Sequence, residues 1–217
     1  SCNAADDVEG AMRAYRQSLA SEPDHLGASV NLGLVYLSQI GDADQAEALF
    51  ARACKAHPQA VAAQANYGLA LFDRGEVERA IAHFDELIRA NPETVEYRWN
   101  RALCFLQRGD YSRGWPDYEL RHVRGGRDVR RDFGLPVWNG NTPAGSSVLV
   151  YGEQGVGDEI MFASCIPEIV KSAGKCIIEC TPRLEGLFQR SFPGSTVYGI
   201  PQPERSQAWF ERLGRID

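Results

Sequence analysis

Asn31-Leu32-Gly33-Leu34-Val35-Tyr36 is followed 35 residues on by Asn66-Tyr67-Gly68-Leu69-Ala70-Leu71, and a further 34 on by Asn100-Arg101-Ala102-Leu103-Cys104-Phe105. Each stretch sets an asparagine just ahead of an apolar and small-residue helical pattern. A fixed period of that size marks a helical repeat array, in which one supersecondary unit stacks on the next. Pro23, Pro58 and Pro92 keep the same beat, where the second helix of each unit has to stop. Ala11, Ala46 and Ala80 place small residues inside the second helices, and Tyr15, Phe50 and Phe84 follow four positions later.

Together these features resemble the tetratricopeptide repeat, over about residues 5 to 123. The pattern predicts a second helix at 6–22 whose first helix is missing, as if the array were cut at its N-terminus. Helix pairs follow at 26–40 with 43–57, 60–73 with 76–90, and 94–108 with 111–123. Gly41-Asp42, Gly75-Glu76 and Gly109-Asp110 form the turns, the glycine closing one helix and the carboxylate suiting the start of the next. In the last unit Gly114 stands where the earlier units have alanine, and Trp115 follows it. A terminal repeat that docks on something else is expected to depart from the pattern in this way.

The 217 residues suit one large or two small domains, and 44% apolar with 24% charged residues is the composition of a chain with an ordinary core. A net charge of -6 argues against a nucleic-acid partner, which would want a basic face. Arg121, Arg124, Arg127, Arg130 and Arg131 cut the other way, and read as a solvated linker or interdomain contact rather than a phosphate-binding strip. Six cysteines form no CxxC pair and have no histidine at zinc spacing; most fall at apolar positions, where free cysteine acts as a small hydrophobe. That usage predicts a reducing, cytoplasmic compartment. No apolar run reaches the length of a membrane span.

From 124 to 146 the helical period gives way to Arg-Gly-Gly-Arg, Gly134, Pro136, Gly140, Pro143 and Gly145, which marks a linker between domains. Strand and helix then alternate: strand 147–151, a glycine loop, helix 158–172, strand 175–180, helix 182–190 and strand 195–200, with a further helix at 207–215. Alternation of this kind means right-handed βαβ units on a parallel sheet. The expected fold is therefore α plus α/β. An α-solenoid of about three and a half repeats at 1–123 precedes a partial Rossmann-like domain at 147–217.

Gly152-Glu153-Gln154-Gly155-Val156-Gly157-Asp158 lies between strand and helix, where Rossmann-like folds bind ligands. Its GxxGxG spacing is neither a dinucleotide fingerprint nor a Walker A loop. Glu179 ends the second strand, where a ribose-binding acid would sit, and Asp158 could simply cap the helix. Trp138-Asn139-Gly140, this loop and the helix beginning Glu159-Ile160-Met161-Phe162 resemble the glycosyltransferase-like domain that follows repeat arrays in many bacterial proteins. That domain is similar to the first half of heptosyltransferases, which have the two-domain GT-B fold. The resemblance implies transfer of a sugar from a nucleotide-sugar donor, with Asp158 of Gly157-Asp158 as general base and Glu153, Gln154, Gly155 and Gly157 lining the substrate.

Glycosyl transfer needs a base for the acceptor proton. All four histidines (His25, His57, His83, His122) lie in or just after the repeats, which leaves Asp158 or Glu153 in the second domain. A helix N-terminus lowers an aspartate's pKa and so weakens it as a base, which counts against Asp158. Asp42-Ala43-Asp44 is a DxD string of the kind some glycosyltransferases use for manganese, but it falls in a repeat turn with Asp44 placed to cap a helix, and no metal site is expected.

Gly27, Asn31 and Leu34 form an i, i+4, i+7 stripe, repeated by Ala62, Asn66, Leu69 and by Glu96, Asn100, Leu103. A ladder of asparagines at this place resembles the superhelix of O-GlcNAc transferases, where such a ladder holds the backbone of substrate proteins. A carboxamide both donates and accepts, so it matches a peptide unit without reading its sequence; equally, the asparagines could merely solvate a groove. Taken together, the residues imply a protein- or peptide-binding module attached to a glycosyltransferase-like domain. The alternative is a non-catalytic adaptor or scaffold. With only about 80 residues after the linker, transfer activity is not expected of this chain and no cofactor is expected in it. An exposed sheet edge or the terminal repeat could pair with another copy.

Overall fold

Small residues decide how the helices of the repeat array meet. The computed structural model describes residues 2–123, 131–141, 145–153 and 155–201. It divides into two units, Ser1–Gly126 and Arg127–Asp217. The first holds α1 (Cys2–Ser21), α2 (Leu26–Val35), α3 (Ala43–Ala56), α4 (Val61–Asp73), α5 (Val77–Ala90), α6 (Val95–Gln107) and α7 (Tyr111–Tyr118). Consecutive helices pack antiparallel as first and second members of each repeat. A Cβ added at Gly33 of α2 would lie 2.5 Å from Phe50 Cε1 of α3, and one at Gly68 of α4 would lie 2.3 Å from Phe84 Cζ of α5. Both phenylalanines are fully buried, as are Ala46 and Ala80 beside them in sequence. The glycine thus lets an aromatic ring reach the backbone of the facing helix.

The third pair keeps this arrangement in altered form. The small residues have exchanged size: Ala102 stands on α6 where α4 has Gly68, and Gly114 stands on α7 where α5 has Ala80. A Cβ at Gly114 would meet Leu106 Cδ2 at 2.6 Å. Tyr118 replaces the buried phenylalanine and is only half-buried.

One irregularity explains why the asparagines are first 35 and then 34 apart. Gly41 follows Gly33 by eight positions, whereas Gly75 follows Gly68 by seven. The extra residue is absorbed in a π-helical turn at Tyr36–Ile40, the usual way for a helix to take up one insertion. Gly41, Gly75 and Gly109 all end first helices in the left-handed region, at φ of 75°, 78° and 78°. There the backbone closes back on the helix, with Glu76 N donating to Leu71 O and Asp110 N to Phe105 O, each at 2.9 Å. Asp42 and Asp110 cap α3 and α7 by accepting from Gln45 N and Arg113 N. Asp42, not Asp44, is therefore the cap of the DxD string, and Asp44 instead pairs with Arg74 at 3.1 Å. α7 stops at Tyr118, short of the expected 123, and passes into a 3-10 turn at Glu119–His122; Pro116 cannot donate to the helical ladder.

The second unit contains β1 (Ser147–Tyr151), α8 (Val156–Phe162), α9 (Ile166–Ser172), β2 (Lys175–Cys180), α10 (Pro182–Ser191) and β3 (Ser195–Gly199). The strands form a parallel sheet of order β1-β2-β3. Ile166, Leu184, Phe188 and Phe192 pack with Cys176, Ile178, Cys180 and Val197 on one sheet face. The helix expected at 158–172 is broken by a 3-10 turn at Ala163–Cys165, because the Pro167 ring would clash with the carbonyl four residues before it. The helix expected at 207–215 lies outside the described residues. Among the described residues, no helix is long and apolar enough to cross a membrane.

His83 of α5 ties a pair together: its Nε2 lies 3.0 Å from Gln64 O, and its ring stands edge-on to Tyr67 at 5.0 Å. Burial lowers its pKa below the ordinary histidine value, with the Gln64 carbonyl opposing the shift. Below the ordinary pKa of about 6.5 the unfolded chain therefore binds more protons than the native one. Stability is expected to be fully present above that value and to fall as pH drops toward the native pKa. Urea denaturation at several pH values should show this loss, and His83→Gln should flatten it.

Candidate functional site

Two places could hold a partner or substrate: the outer stripe of the first helices, and the carboxyl ends of the parallel strands. In the array, α2 packs against α4 and α4 against α6, while the second helices do not approach one another to the same extent. The stack therefore curves with the first helices on the inside. Along this inner side the stripe closes progressively. Gly27, Asn31 and Ala62 are exposed, Leu34 is 37% exposed, and Asn66, Leu69, Glu96 and Leu103 are half-buried.

Asn100 departs from the ladder. It is fully buried, and neither its Nδ2 nor its Oδ1 has a hydrogen-bond partner. Its neighbours on α6 are committed to structure. Arg98 and Arg101 both donate to Asp117 of α7 at 2.7 Å, and Arg101 also donates to Asp85 of α5 at 2.6 Å. Asp117 is itself buried, so these four residues tie α5, α6 and α7 together. The equal spacing of the three asparagines could not reveal their unequal exposure, which depends on what packs across each repeat.

At the strand ends every well-placed carboxylate has a structural partner. Asp158 Oδ2 accepts from Gly155 N at 3.2 Å, three residues back, and so caps α8. Glu159 is buried and accepts from Thr181 N and Thr181 Oγ1, both at 2.8 Å. That bond fixes α8 to the start of α10. It also explains Gly152, where a Cβ would lie 2.7 Å from the Glu159 side chain. Glu153 and Gly157 are exposed, and nothing lies within 4 Å of a Cβ at Gly157. Gln154 lies outside the described residues.

Glu179 has a side chain closed to solvent and receives both Arg131 amines, at 2.7 and 2.8 Å. The guanidinium also stacks over Tyr151 at 4.4 Å and Phe133 at 5.0 Å, and those two rings meet edge-on at 5.2 Å. Tyr151, Glu179 and Tyr198 stand in register across the three strands, on the face opposite α9 and α10. Residues 131–133 thus cover this second face. Arg131 belongs to the sheet and is neither solvated nor part of a phosphate strip, while Arg121 pairs with Glu119 at 2.6 Å. Arg124, Arg127 and Arg130 lie outside the described residues. Nothing in the sequence pointed to either lock, because Glu159 meets Thr181 and Arg131 meets Glu179 across 22 and 48 residues of chain.

Comparison with known proteins bears on the array. A family model described as tetratricopeptide repeat matches residues 4–61, 36–89 and 67–128. Protein FlbA of Caulobacter vibrioides (strain ATCC 19089 / CIP 103742 / CB 15) is 37% identical over 87 residues, which are 38% of this chain and 14% of FlbA. The chain thus spans only a small part of that relative's length. A tetratricopeptide repeat protein from Parabacteroides merdae ATCC 43184 aligns with a TM-score of 0.49 at 22% identity, covering 57% of this chain and 48% of that one. MamA aligns with a TM-score of 0.47 at 22% identity, over 56% of this chain and 70% of its own.

Breaking one side of a buried, hydrogen-bonded ion pair costs as much as about 3–5 kcal/mol. Arg131→Met and Glu179→Gln should each destabilise the second unit, with faster amide exchange at β2 as the readout. The double variant Arg131→Met/Glu179→Leu should recover much of the loss. Unchanged exchange in both single variants would show that residues 131–133 contribute nothing to the sheet.

Proposed function

The chain belongs to the tetratricopeptide repeat family, and from that premise we propose that it is a protein-interaction module that holds an extended polypeptide along its first helices. The inner stripe carries this reading. Asn31 and Asn66 present carboxamides, each a donor and an acceptor, beside the small residues Gly27 and Ala62 that leave room for a backbone. Exposed leucine at position 34 adds an apolar contact. Recognition would then be largely blind to sequence, with Asn100, buried at the closed end, making no direct contact. The segment of FlbA that matches is 14% of that protein, and in a chain of such length an array of this kind would serve as a scaffold.

A second reading concerns the α/β unit. The loop between β1 and α8 lies at the carboxyl end of a parallel strand, where open α/β sheets take ligands, and Glu153 is exposed there. This favours a glycosyltransferase-like ancestry, with a nucleotide-sugar donor bound by a further domain and Asp158 as base. Against activity stands the structural use of Asp158, Glu159 and Glu179. The non-catalytic adaptor is the reading the geometry supports best.

Two experiments separate these. Calorimetry with a library of unstructured peptides should identify binders, and Asn31→Ala/Asn66→Ala should weaken them about tenfold or more while leaving the melting temperature in place, because exposed-face changes cost little stability. Binding untouched by both changes would move the partner elsewhere. For the second reading, Asp158→Asn should alter the stability of α8 and no turnover. In an active longer protein that carries the donor site, loss of sugar transfer in Asp158→Asn at intact donor affinity would restore the enzyme.

A further inference from the structure

On α4 the inner stripe does not stop at Leu69. Ala62, Asn66, Leu69 and Asp73 stand at i, i+4, i+7 and i+11, so Asp73, the last residue of the helix, closes it. The corresponding positions seven residues beyond Asn31 and Asn100 are uncharged, Ser38 and Gln107. No lysine or arginine occupies any position of the stripe on α2, α4 or α6, and its other charged residue, Glu96, is also an acid.

Asp73 is poorly placed for stability. A carboxylate in the last turn meets the negative end of the helix dipole. α3 and α5 follow the opposite rule and carry Lys55 and Arg89 in their last turns. Asp73 is exposed, yet the surrounding protein removes enough water from its carboxyl to push the pKa above the ordinary value. Among the described residues no cation pairs with it. Arg74, next in the chain, is taken by Asp44 at 3.1 Å, by Glu76 at 3.0 Å and by Glu47. Dipole and desolvation thus both work against this charge, and the fold supplies nothing to offset them. A residue that breaks local rules without a structural return is expected where function requires it.

We infer that Asp73 is a specificity-determining residue of the inner stripe, and that it selects a lysine or arginine side chain in the polypeptide held there. The inference rests on the peptide-binding reading above, and adds one charge-reading position to recognition otherwise blind to sequence. Asp73 lies two turns, about 10 Å, beyond Asn66 along α4. One bound chain can meet both, the asparagine through its backbone and the aspartate through a side chain. The ammonium or guanidinium donates to the carboxylate and supplies the positive charge that the stripe lacks.

The probe is a fluorescein-labelled, unstructured peptide of serine and glutamine whose central position is lysine, glutamine or glutamate. In fluorescence anisotropy the lysine peptide should bind the 217-residue chain about threefold or more tighter than the glutamine peptide, and the glutamate peptide should bind weakest. Asp73→Asn should erase the difference between lysine and glutamine while keeping affinity for the glutamine peptide, and Asp73→Lys should reverse the order. Glu93→Gln, the same loss of charge at an exposed site off the stripe, should leave the order intact. Asn31→Ala/Asn66→Ala should weaken all three peptides alike. The melting temperature of Asp73→Asn should be unchanged or higher; a lower one would make Asp73 a structural residue and overturn the inference. Equal binding of the three peptides, or a lysine preference that survives Asp73→Asn, overturns it too and leaves the groove standing. Failure of all three peptides to bind, or binding indifferent to the asparagine changes, overturns the groove and the inference with it.

Discussion

Phe50 against Gly33, and Phe84 against Gly68, fix the separation of the helices on which the rest of the array depends. An aromatic ring that touches facing backbone can do so only where no Cβ intervenes, and it then holds both helices in one orientation. Interiors pack at crystal density, so such a contact cannot be loosened by small adjustments. Repeating it at a near-constant period repeats the angle between helices, and the stack curves. The curvature places the first helices, which carry Asn31 and Asn66, on the inside. Ion pairs follow the same period across the repeats: Arg74 with Asp44, then Arg108 with Glu78 at 2.8 Å. Those pairs are largely exposed and decorate the register more than they create it.

The sequence disclosed this architecture because a repeat states each packing slot several times. Helix limits from α3 to α6 fell within a residue of the expected spans, as did α2 taken together with its π-turn, and the three strands matched to within one residue. Where a feature occurred once, it stayed hidden. The π-turn at Tyr36–Ile40 is visible in the spacings only when glycine-to-glycine distances are compared within each repeat. Gly114 looked like decay of the pattern, yet Ala102 on the facing helix shows the small residue exchanged between partners. Asn100 is fully buried, which no local pattern encodes.

The α/β unit teaches the same lesson from the other side. Its loop and its alternation of strand and helix were legible, but the work done by its acids was not. Glu159 locks α8 to α10, Asp158 caps α8, and Glu179 anchors Arg131 against two aromatic rings. Glu159 and Glu179 each accept from two donors and are thereby committed to holding the fold. Residue type at a strand end is therefore a poor guide to chemistry until its partners are known.

The direct test of the packing argument is a double-mutant cycle in urea on Gly68→Ala and Phe84→Leu. Overpacking a filled core costs about 1–3 kcal/mol, and Gly68→Ala should fall in that range because the new methyl meets a ring that is fully buried. Phe84→Leu removes the atoms it strikes, so the two changes should combine to less than their sum by about 1 kcal/mol or more. Additivity within about 0.5 kcal/mol would mean that glycine and ring do not act on each other, and would contradict the contact as the basis of the array.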